Sequence, residues 1–218
     1  MASVKILLLG LISTALFILL AIIGEGGAAK FFSVPQLTLL VIVSAALVVA
    51  AAFTSVSLSP GIREDRSNRW VFVAFGIVGV LAGWLPAFDD RHNILTFGGS
   101  NVRWIGVALF AVGGLIRLIP VFQLGRRFSG LVVIQPGHEL KTDGAYRFIR
   151  HPSYLGVILT MLGWALAFRS GFGLVLAGLM LVPIIGRIQA EEALLLDQFG
   201  EQYARYRAST WRLVPFVY

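Results

Sequence analysis

Long apolar stretches alternate with short polar ones along most of this chain, and they predict membrane-spanning helices. Residues 6–24 carry no charge and match one span, since about 20 apolar residues cross a bilayer. Three further stretches, residues 37–58, 70–88 and 104–124, predict three more spans, the last interrupted by Arg117. A cleaved signal peptide is the alternative for the first stretch, but its apolar core would be only about 7–15 residues long.

Two shorter apolar arms follow, residues 153–168 and 171–186, joined by Arg169 and Ser170. Each arm has 16 uncharged residues. That length gives about 24 Å of helix, against a hydrocarbon core of about 30 Å. The arms predict either two short spans or a hairpin shielded by the other helices. The charged stretch 187–207 repeats apolar residues at helical spacing, which predicts an interfacial helix with one apolar side.

These elements together predict an all-α integral membrane protein. Its parts are four transmembrane helices, a short C-terminal helical hairpin and an interfacial helix. We expect one membrane domain over residues 1–218, with N-terminal transmembrane helices in residues 1–100. Composition agrees, because 57% of the residues are hydrophobic and only 13% are charged, against about 25% charged in soluble domains. The chain has no cysteine, which excludes disulfides, thiolate metal sites and a cysteine nucleophile.

Positive charge indicates how the chain crosses the membrane. The net charge is +7, and basic residues gather after the second span, after the fourth span and in the tail. Such residues favour the cytoplasmic side and anionic headgroups. We therefore expect these regions and the N-terminus to be cytoplasmic, with the loop 89–103 outside. Membrane lipids are the expected partners. Nucleic acid is not expected, because no long basic run or soluble domain is present to bind it.

Two polar blocks flank the apolar hairpin and carry the candidate chemistry. The first is IQPGHELKTDGAYRFIRHPSYLG, residues 134–156, and the second is RIQAEEALLLDQFGEQYARYR, residues 187–207. A hairpin returns both ends to one side of the membrane, so we expect the blocks to meet at the cytoplasmic interface. No metal site is expected, since the three histidines show no paired ligand spacing.

The first block combines a helix start with aromatic rings. Pro152 discourages helix at His151, so we expect Arg150 and His151 to lie just before a helix that begins at Pro152. The first amides of that helix would be available to a ligand. Tyr146 and Tyr154 could present ring faces to a cation or an adenine. An interfacial loop of snorkelling arginines and tyrosines is the alternative, and the residues alone leave both open.

In the second block, Arg187 and Glu191 are four residues apart and share one helix face. Unpaired carboxylates are costly near membrane depth, so Glu191 and Glu192 need partners there. A functional interpretation places one carboxylate on a ligand's ammonium or hydroxyl groups and Arg187 on an anionic substrate. A structural interpretation pairs Arg187 with Glu191 and leaves Glu192 in solvent. The spacing is compatible with both.

The order of these pieces resembles the C-terminal half of the isoprenylcysteine carboxyl methyltransferase family, whose wider superfamily includes membrane phospholipid methyltransferases. GHELKTDGAYRFIRHPSYLG, a hydrophobic hairpin and EEALLLDQFGEQYARYRASTWRLVP follow one another within residues 117–215. The first three spans match only as generic membrane helices. The resemblance implies S-adenosylmethionine as the methyl donor, S-adenosylhomocysteine as the product and a methyltransferase core over residues 101–218.

The resemblance also implies the site residues, by position. Arg187 matches the family's substrate-facing arginine, so it is the expected catalytic and substrate-binding residue. The residues that match the family's cofactor contacts are Gln135, His138, Leu140, Tyr146, His151, Pro152, Ser153, Tyr154 and Glu191. Glu192 completes an acidic pair without a role of its own. The cofactor site is expected at the cytoplasmic face.

The implied reaction transfers a methyl group to a lipophilic acceptor that enters from the bilayer, between the fourth span and the hairpin. The expected acceptor is a carboxylate of the isoprenylcysteine type or a related lipid, while a lipid amine and a small thiol stay open. The compact chain and short loops favour a prokaryotic inner membrane. Two alternative functions remain: an NADPH-dependent membrane reductase of the sterol or steroid type, and a non-catalytic transporter or scaffold with Arg117 in its pathway.

Overall fold

The computed structural model describes residues 4–53, 63–64, 69–124, 133–134 and 139–218. Within these ranges the chain is almost entirely helical. The helices are α1 (Val4–Glu25), α2 (Ala28–Phe32), α3 (Pro35–Ala52), α4 (Trp70–His92), α5 (Ser100–Leu124), α6 (Pro152–Ala167), α7 (Gly171–Leu179), α8 (Leu181–Phe199) and α9 (Glu201–Ala208). A short antiparallel ladder pairs β1 (Arg63–Glu64) with β2 (Val133–Ile134).

The membrane class and the number of spans agree with the sequence prediction. Among the described residues, four helical segments are long and apolar enough to cross a membrane: Leu8–Glu25, Trp70–His92, Ser100–Leu124 and Gly171–Phe199. Their large apolar side chains are widely exposed, as lipid contact requires; Ile12, Val73 and Ile105 are examples. The predicted all-α integral membrane protein with four spans is therefore confirmed.

The set of four spans differs from the predicted set in two places. The second apolar stretch forms α3, which ends at Ala52 and is one of the shorter apolar helices; residues 54–58 of that prediction lie outside the described residues. The second hairpin arm supplies the fourth span instead. It passes from α7 through Met180, whose backbone is helical (φ −64°, ψ −21°), directly into α8.

The second apolar arm and the charged stretch that follows it therefore form one helical segment of 29 residues, Gly171–Phe199. The sequence treated the arm 171–186 and the interfacial helix 187–207 as separate elements, whereas the structure joins them at Arg187, which pairs with Glu191 one turn along the helix and donates to the Tyr154 hydroxyl. The segment ends at Gly200, which takes a positive φ of 50°. Only α9 remains of the predicted interfacial helix.

Glycines let α5 and α6 pack with their backbones in contact. A Cβ on Gly156 would lie 2.6 Å from the backbone nitrogen of Arg117, and a Cβ on Gly113 would lie 2.5 Å from that of Thr160. Small residues at such positions allow this approach. The contact places the N-terminal turn of α6, and with it the first polar block, beside the C-terminal end of α5, which the sequence predicts to be cytoplasmic.

The polar residues collect at the two ends of the bundle. At the end predicted to be outside, Asp90 accepts hydrogen bonds from Arg103 Nη2 (2.9 Å) and Arg169 Nη2 (2.6 Å), which ties α4, α5 and the α6–α7 turn together. The other end of α6 carries the two polar blocks. There the ladder between β1 and β2 brings the stretch after α3 to the stretch after α5.

Candidate active site

His151 is the residue that caps α6, as the prediction from Pro152 required. Its carbonyl oxygen accepts the amides of Tyr154 at 3.1 Å and Leu155 at 3.3 Å. The first turn of α6 therefore closes on His151, and the amide of Tyr154 is not available to a ligand. The side chain of His151 is buried.

Both ring nitrogens of His151 face carboxylates. Nδ1 lies 3.5 Å from Glu191 Oε2, and Nε2 lies 3.3 Å from Glu192 Oε1. A neutral imidazole donates from one nitrogen only, so two such contacts favour the imidazolium. Burial opposes the charge, but the hydrogen bonds to Glu191 and Glu192 outweigh it and raise the pKa of His151. The folded protein therefore keeps this proton to a higher pH than a free histidine would.

Glu191, Arg187 and Tyr154 form a second group of contacts on the neighbouring face of α8. Arg187 Nε lies 2.5 Å from the Tyr154 hydroxyl oxygen and 3.2 Å from Glu191 Oε1, and the Tyr154 hydroxyl donates to Glu191 Oε1. The pair expected from the structural interpretation is thus present. The Glu191 side chain nevertheless keeps 25% of its surface exposed, against 6% for Arg187. A ligand can therefore still reach the Glu191 carboxylate.

Glu192 has the opposite environment from the one that the structural interpretation assigned to it. Its side chain is only 6% exposed. Oε1 accepts a hydrogen bond from Arg150 Nε at 2.9 Å, and Oε2 accepts one from Arg212 Nη2 at 2.8 Å. With His151, three basic groups surround one carboxylate. The solvated Glu192 of the structural interpretation, one of the two left open by the sequence, is wrong, because the C-terminal tail folds back over this face of α8.

Tyr146 lies in a 3-10 turn, Gly144–Arg147, in front of the same cluster. Gly144 takes a positive φ of 61° there. Burial, and next the charge of Glu191, raise the pKa of the Tyr146 hydroxyl well above its usual value. Tyr146 therefore stays protonated and lies near enough to feel the charge of Glu191, while His151 and Tyr154 contact the Glu191 carboxylate.

The remaining predicted site residues fall into two groups. Pro152 is buried and Ser153 half-buried in the first turn of α6, next to His151, and Leu140 is half-buried in the irregular segment before the 3-10 turn. Gln135 and His138 lie outside the described residues.

Sequence reasoning missed several basic and aromatic residues at this site. Arg150, Tyr206 and Arg212 contact the cluster or its backbone, although the WRLVP stretch that holds Arg212 was already part of the quoted resemblance. Arg117 lies close enough to Tyr154 and Arg187 to interact electrostatically with both. An arginine inside an apolar helix was the one signal that pointed to it.

Comparisons with known proteins agree with this architecture. The model of the isoprenylcysteine carboxyl methyltransferase (ICMT) family matches residues 104–197. Protein-S-isoprenylcysteine O-methyltransferase A of Arabidopsis thaliana is 33% identical over 144 residues, which cover 63% of this chain and 73% of that relative. The protein-S-isoprenylcysteine O-methyltransferase of Schizosaccharomyces pombe is 28% identical over 166 residues, 72% of this chain and 70% of its own.

Two further comparisons widen the range of relatives. The methanethiol S-methyltransferase of Crocosphaera subtropica is 28% identical over 162 residues, 70% of this chain and 62% of that relative. A solved structure of the eukaryotic intramembrane Ras methyltransferase ICMT superposes with a TM-score of 0.55 at 20% identity, covering 94% of this chain and 74% of the other. At that identity the likeness shows a shared fold.

The membrane fold and these relatives define an integral membrane methyltransferase that acts on a lipophilic acceptor. More narrowly, the chain belongs to the isoprenylcysteine carboxyl methyltransferase family, as its C-terminal motifs indicated. Its methyl donor is S-adenosylmethionine. This membership decides against the reductase and the transporter or scaffold, the two alternatives that the sequence left open.

The residues at the Glu191 cluster fit such a donor chemically. S-adenosylmethionine combines a sulfonium, an ammonium, a carboxylate, ribose hydroxyls and an adenine ring. The partly exposed carboxylate of Glu191 suits the cationic groups, and Tyr146 and Tyr154 offer aromatic rings beside it. Arginines next to both glutamates suit anionic groups.

Proposed function

We propose that this protein methylates the carboxylate of a lipid, either an isoprenylcysteine or another lipid acid. The observation that supports this most directly is the position of Arg187. It lies in a helical segment that is apolar enough to cross a membrane, beside Tyr154 and Glu191. Arg117 lies near the same tyrosine. Two guanidinium groups in an apolar setting favour an anionic acceptor and oppose a protonated amine.

For the donor, we assign binding to Tyr146, His151, Tyr154 and Glu191. The contacts of His151 and Tyr154 with the Glu191 carboxylate, and the position of Tyr146 within reach of its charge, support this assignment. Pro152 and Ser153 belong to it through their place in the first turn of α6. The further contacts Gln135, His138 and Leu140 rest on the family resemblance.

The donor supplies a methyl group on a sulfonium, so its leaving group departs without being protonated. The protein's task is then to position the reactants and to place charge. Arg187 orients the acceptor carboxylate, which is already ionised and needs no general base. Glu191 balances the donor's positive charge. Because the Tyr154 hydroxyl contacts both Glu191 and Arg187, it holds the donor-binding and acceptor-binding groups in register.

For entry of the acceptor, we propose a narrower route than the one expected from the sequence. The contact of α5 with α6 at Gly113 and Gly156 closes the first arm of the hairpin to an entering lipid. We therefore propose entry between α5 and α8, where Arg117 and Arg187 both neighbour Tyr154. The carboxylate would follow the two guanidinium groups inward from the bilayer.

We further propose that the site lies at the cytoplasmic face of a prokaryotic inner membrane, together with the N-terminus. Basic residues cluster after the second predicted span, after the fourth and in the tail, and this distribution supports the orientation. Residues 101–218 would form the methyltransferase core and residues 1–100 its transmembrane partner. The family match over residues 104–197 lies within the proposed core.

The test is methyl transfer by the purified full chain with labelled S-adenosylmethionine and four acceptors: an S-prenylcysteine, an unbranched fatty acid, a long-chain amine and a small alkanethiol. We expect labelled product from the acids, released as methanol by mild base because it is a methyl ester. Label that resists base and forms only with the amine or the thiol would contradict the proposal. The thiol arm also tests the activity named for the Crocosphaera relative.

A further inference from the structure

The C-terminal arm, defined as residues 200–212, is joined to the donor loop, defined as residues 146–151. Their backbones run side by side, with a parallel bridge between Ile149 and Trp211. The amide of Arg150 donates to the Trp211 carbonyl at 2.8 Å, and the amide of His151 donates to the Arg212 carbonyl at 3.1 Å. The donor loop therefore owes part of its conformation to a segment about 60 residues further along the chain.

Side-chain hydrogen bonds add to this contact between the donor loop and the C-terminal arm, which we call the junction. The Tyr206 hydroxyl donates to the Tyr146 carbonyl at 2.8 Å, and burial raises the pKa of Tyr206 to about 12, so it remains a donor. Arg150 Nη1 donates to the carbonyls of Arg207 (3.1 Å) and Thr210. Both ends of the donor loop are thus held by the arm.

Glu192 links the two segments to α8. One of its oxygens accepts Arg150, in the donor loop, and the other accepts Arg212, in the C-terminal arm. Consecutive residues of a helix point about 100° apart. Glu191 therefore faces the donor site and keeps a quarter of its surface exposed, whereas Glu192 faces the junction and is enclosed. The two neighbouring glutamates therefore lie in different environments, one open to a ligand and one enclosed by basic groups.

We infer that Glu192 is a positioning residue for the methyl donor, acting through Arg150 and Arg212 and not by touching the donor. This inference rests on the proposed donor site, because Tyr146 and His151, the groups that Glu192 holds in place, belong to that site. Removing the carboxylate would leave three basic groups close together and release the arm from the loop. The donor site would then lose its shape while Glu191 and Arg187 stayed intact.

The experiment compares donor binding in variants of the full chain, purified in detergent. Glu192→Gln and Arg212→Gln each remove charge from the junction, and Arg205→Gln removes an exposed charge from the C-terminal arm as a control. Calorimetry gives the Kd for S-adenosylhomocysteine per folded protein, and kinetics give KM for donor and acceptor. We expect a rise of about tenfold in donor Kd and KM for each junction variant. We expect no change of acceptor KM, and no effect of Arg205→Gln.

The double variant separates positioning from direct contact. Because Glu192 and Arg212 act as one unit, Glu192→Gln/Arg212→Gln should weaken donor binding little more than either single change. A weakened Glu192→Gln beside an unaltered Arg212→Gln would make Glu192 a direct donor ligand and overturn the inference. Wild-type donor affinity in Glu192→Gln would overturn it as well.

Tyr206→Phe provides an independent arm if the junction variants do not fold. It removes one hydrogen bond between arm and loop and leaves Glu192 untouched. We expect donor Kd to rise about threefold, and an unchanged Kd would overturn the inference. Wild-type protein is titrated first. If it binds no S-adenosylhomocysteine, the proposed donor site itself fails, and that result is distinct from a wild type that binds while the variants match it.

Discussion

Arg150 and Glu192 form a salt bridge of 2.9 Å in which neither side chain exposes more than 7% of its surface. The two residues belong to different polar blocks, 42 positions apart. Their contact is the point at which the loop before α6 meets the last long helix. Isolating a buried charge by removing its partner is costly, whereas exposed pairs contribute little.

Arg150→Met should therefore destabilise the protein. We expect a loss of about 1–3 kcal/mol, because the Arg150 hydrogen bonds to Glu192 and to the C-terminal arm disappear while Glu192 keeps His151 and Arg212 as partners. The measurement is chemical unfolding in detergent, followed by tryptophan fluorescence. Arg205→Met, at an exposed arginine of α9, is the matched control and should change stability little. Equal midpoints for the two variants would show that the buried pair is not stabilising.

His151 predicts a dependence of stability on pH. Its folded-state pKa is raised by Glu191 and Glu192, so the imidazolium contributes stability that is complete below the unfolded pKa of about 6.5 and is lost as pH rises through the folded pKa. Wild type should melt above His151→Gln at about pH 6, and the gap in Tm should narrow as the pH rises beyond the unfolded pKa and through the raised folded pKa. A gap that stays constant or widens with pH would contradict the raised pKa.

Arg187 should affect turnover more than donor binding. Arg187→Gln removes the charge that orients the acceptor carboxylate, and we expect kcat/KM for the acceptor to fall by about 100-fold or more. The Kd for S-adenosylhomocysteine should change much less. Arg187→Lys, which keeps the charge but not the planar fork, should lie between the two. Unaltered turnover in Arg187→Gln would remove the residue from the acceptor site.

Glu191 should affect donor binding more than it affects the acceptor. Glu191→Gln keeps the shape of the side chain but removes its charge, so we expect the Kd for S-adenosylhomocysteine to rise by about 10- to 100-fold. Calorimetry on folded protein measures this directly. Glu201→Gln, at an exposed glutamate on α9, should bind as wild type does. If both variants bound equally well, the assignment of Glu191 to the donor would be wrong.

Gly156 and Gly79 form a matched pair for the packing of the membrane helices. A Cβ on Gly156 would lie 2.6 Å from the backbone of α5, whereas one on Gly79 would meet no atom within 4 Å. Gly156→Ala should therefore cost about 1–3 kcal/mol. Gly79→Ala should be neutral or stabilising by up to about 1 kcal/mol, since alanine favours helix. Unfolding midpoints that shift equally would contradict the close α5–α6 contact.

Much of the site was predictable because its signals are local. Pro152 alone predicted the start of α6 and the place of His151, and the structure agrees. The spacing of Arg187 and Glu191 put them on one helix face, and the ion pair that was one of the two interpretations of that spacing is present. Long-range partners were beyond the same reasoning. Neither Arg212 nor Tyr206 lies near the donor loop in sequence, so no spacing rule relates them to it.

The sequence by itself determined the class of protein, because the cost of moving charge or backbone into lipid is a property of composition and length. It also determined the family, through motifs whose order is visible in the chain. The prokaryotic source and the cytoplasmic face of the site stay predictions.

The tertiary structure decided which charges are paired. It made one continuous helix of α7 and α8 across Arg187, and it buried Glu192 between the donor loop and the C-terminal arm. The stability of a buried charge depends on partners brought together from distant parts of the chain. Glu191 and Glu192 are adjacent, lie in the same helix and share the same local sequence. They nevertheless differ in exposure and in proposed role, because the C-terminal tail folds back over Glu192 alone.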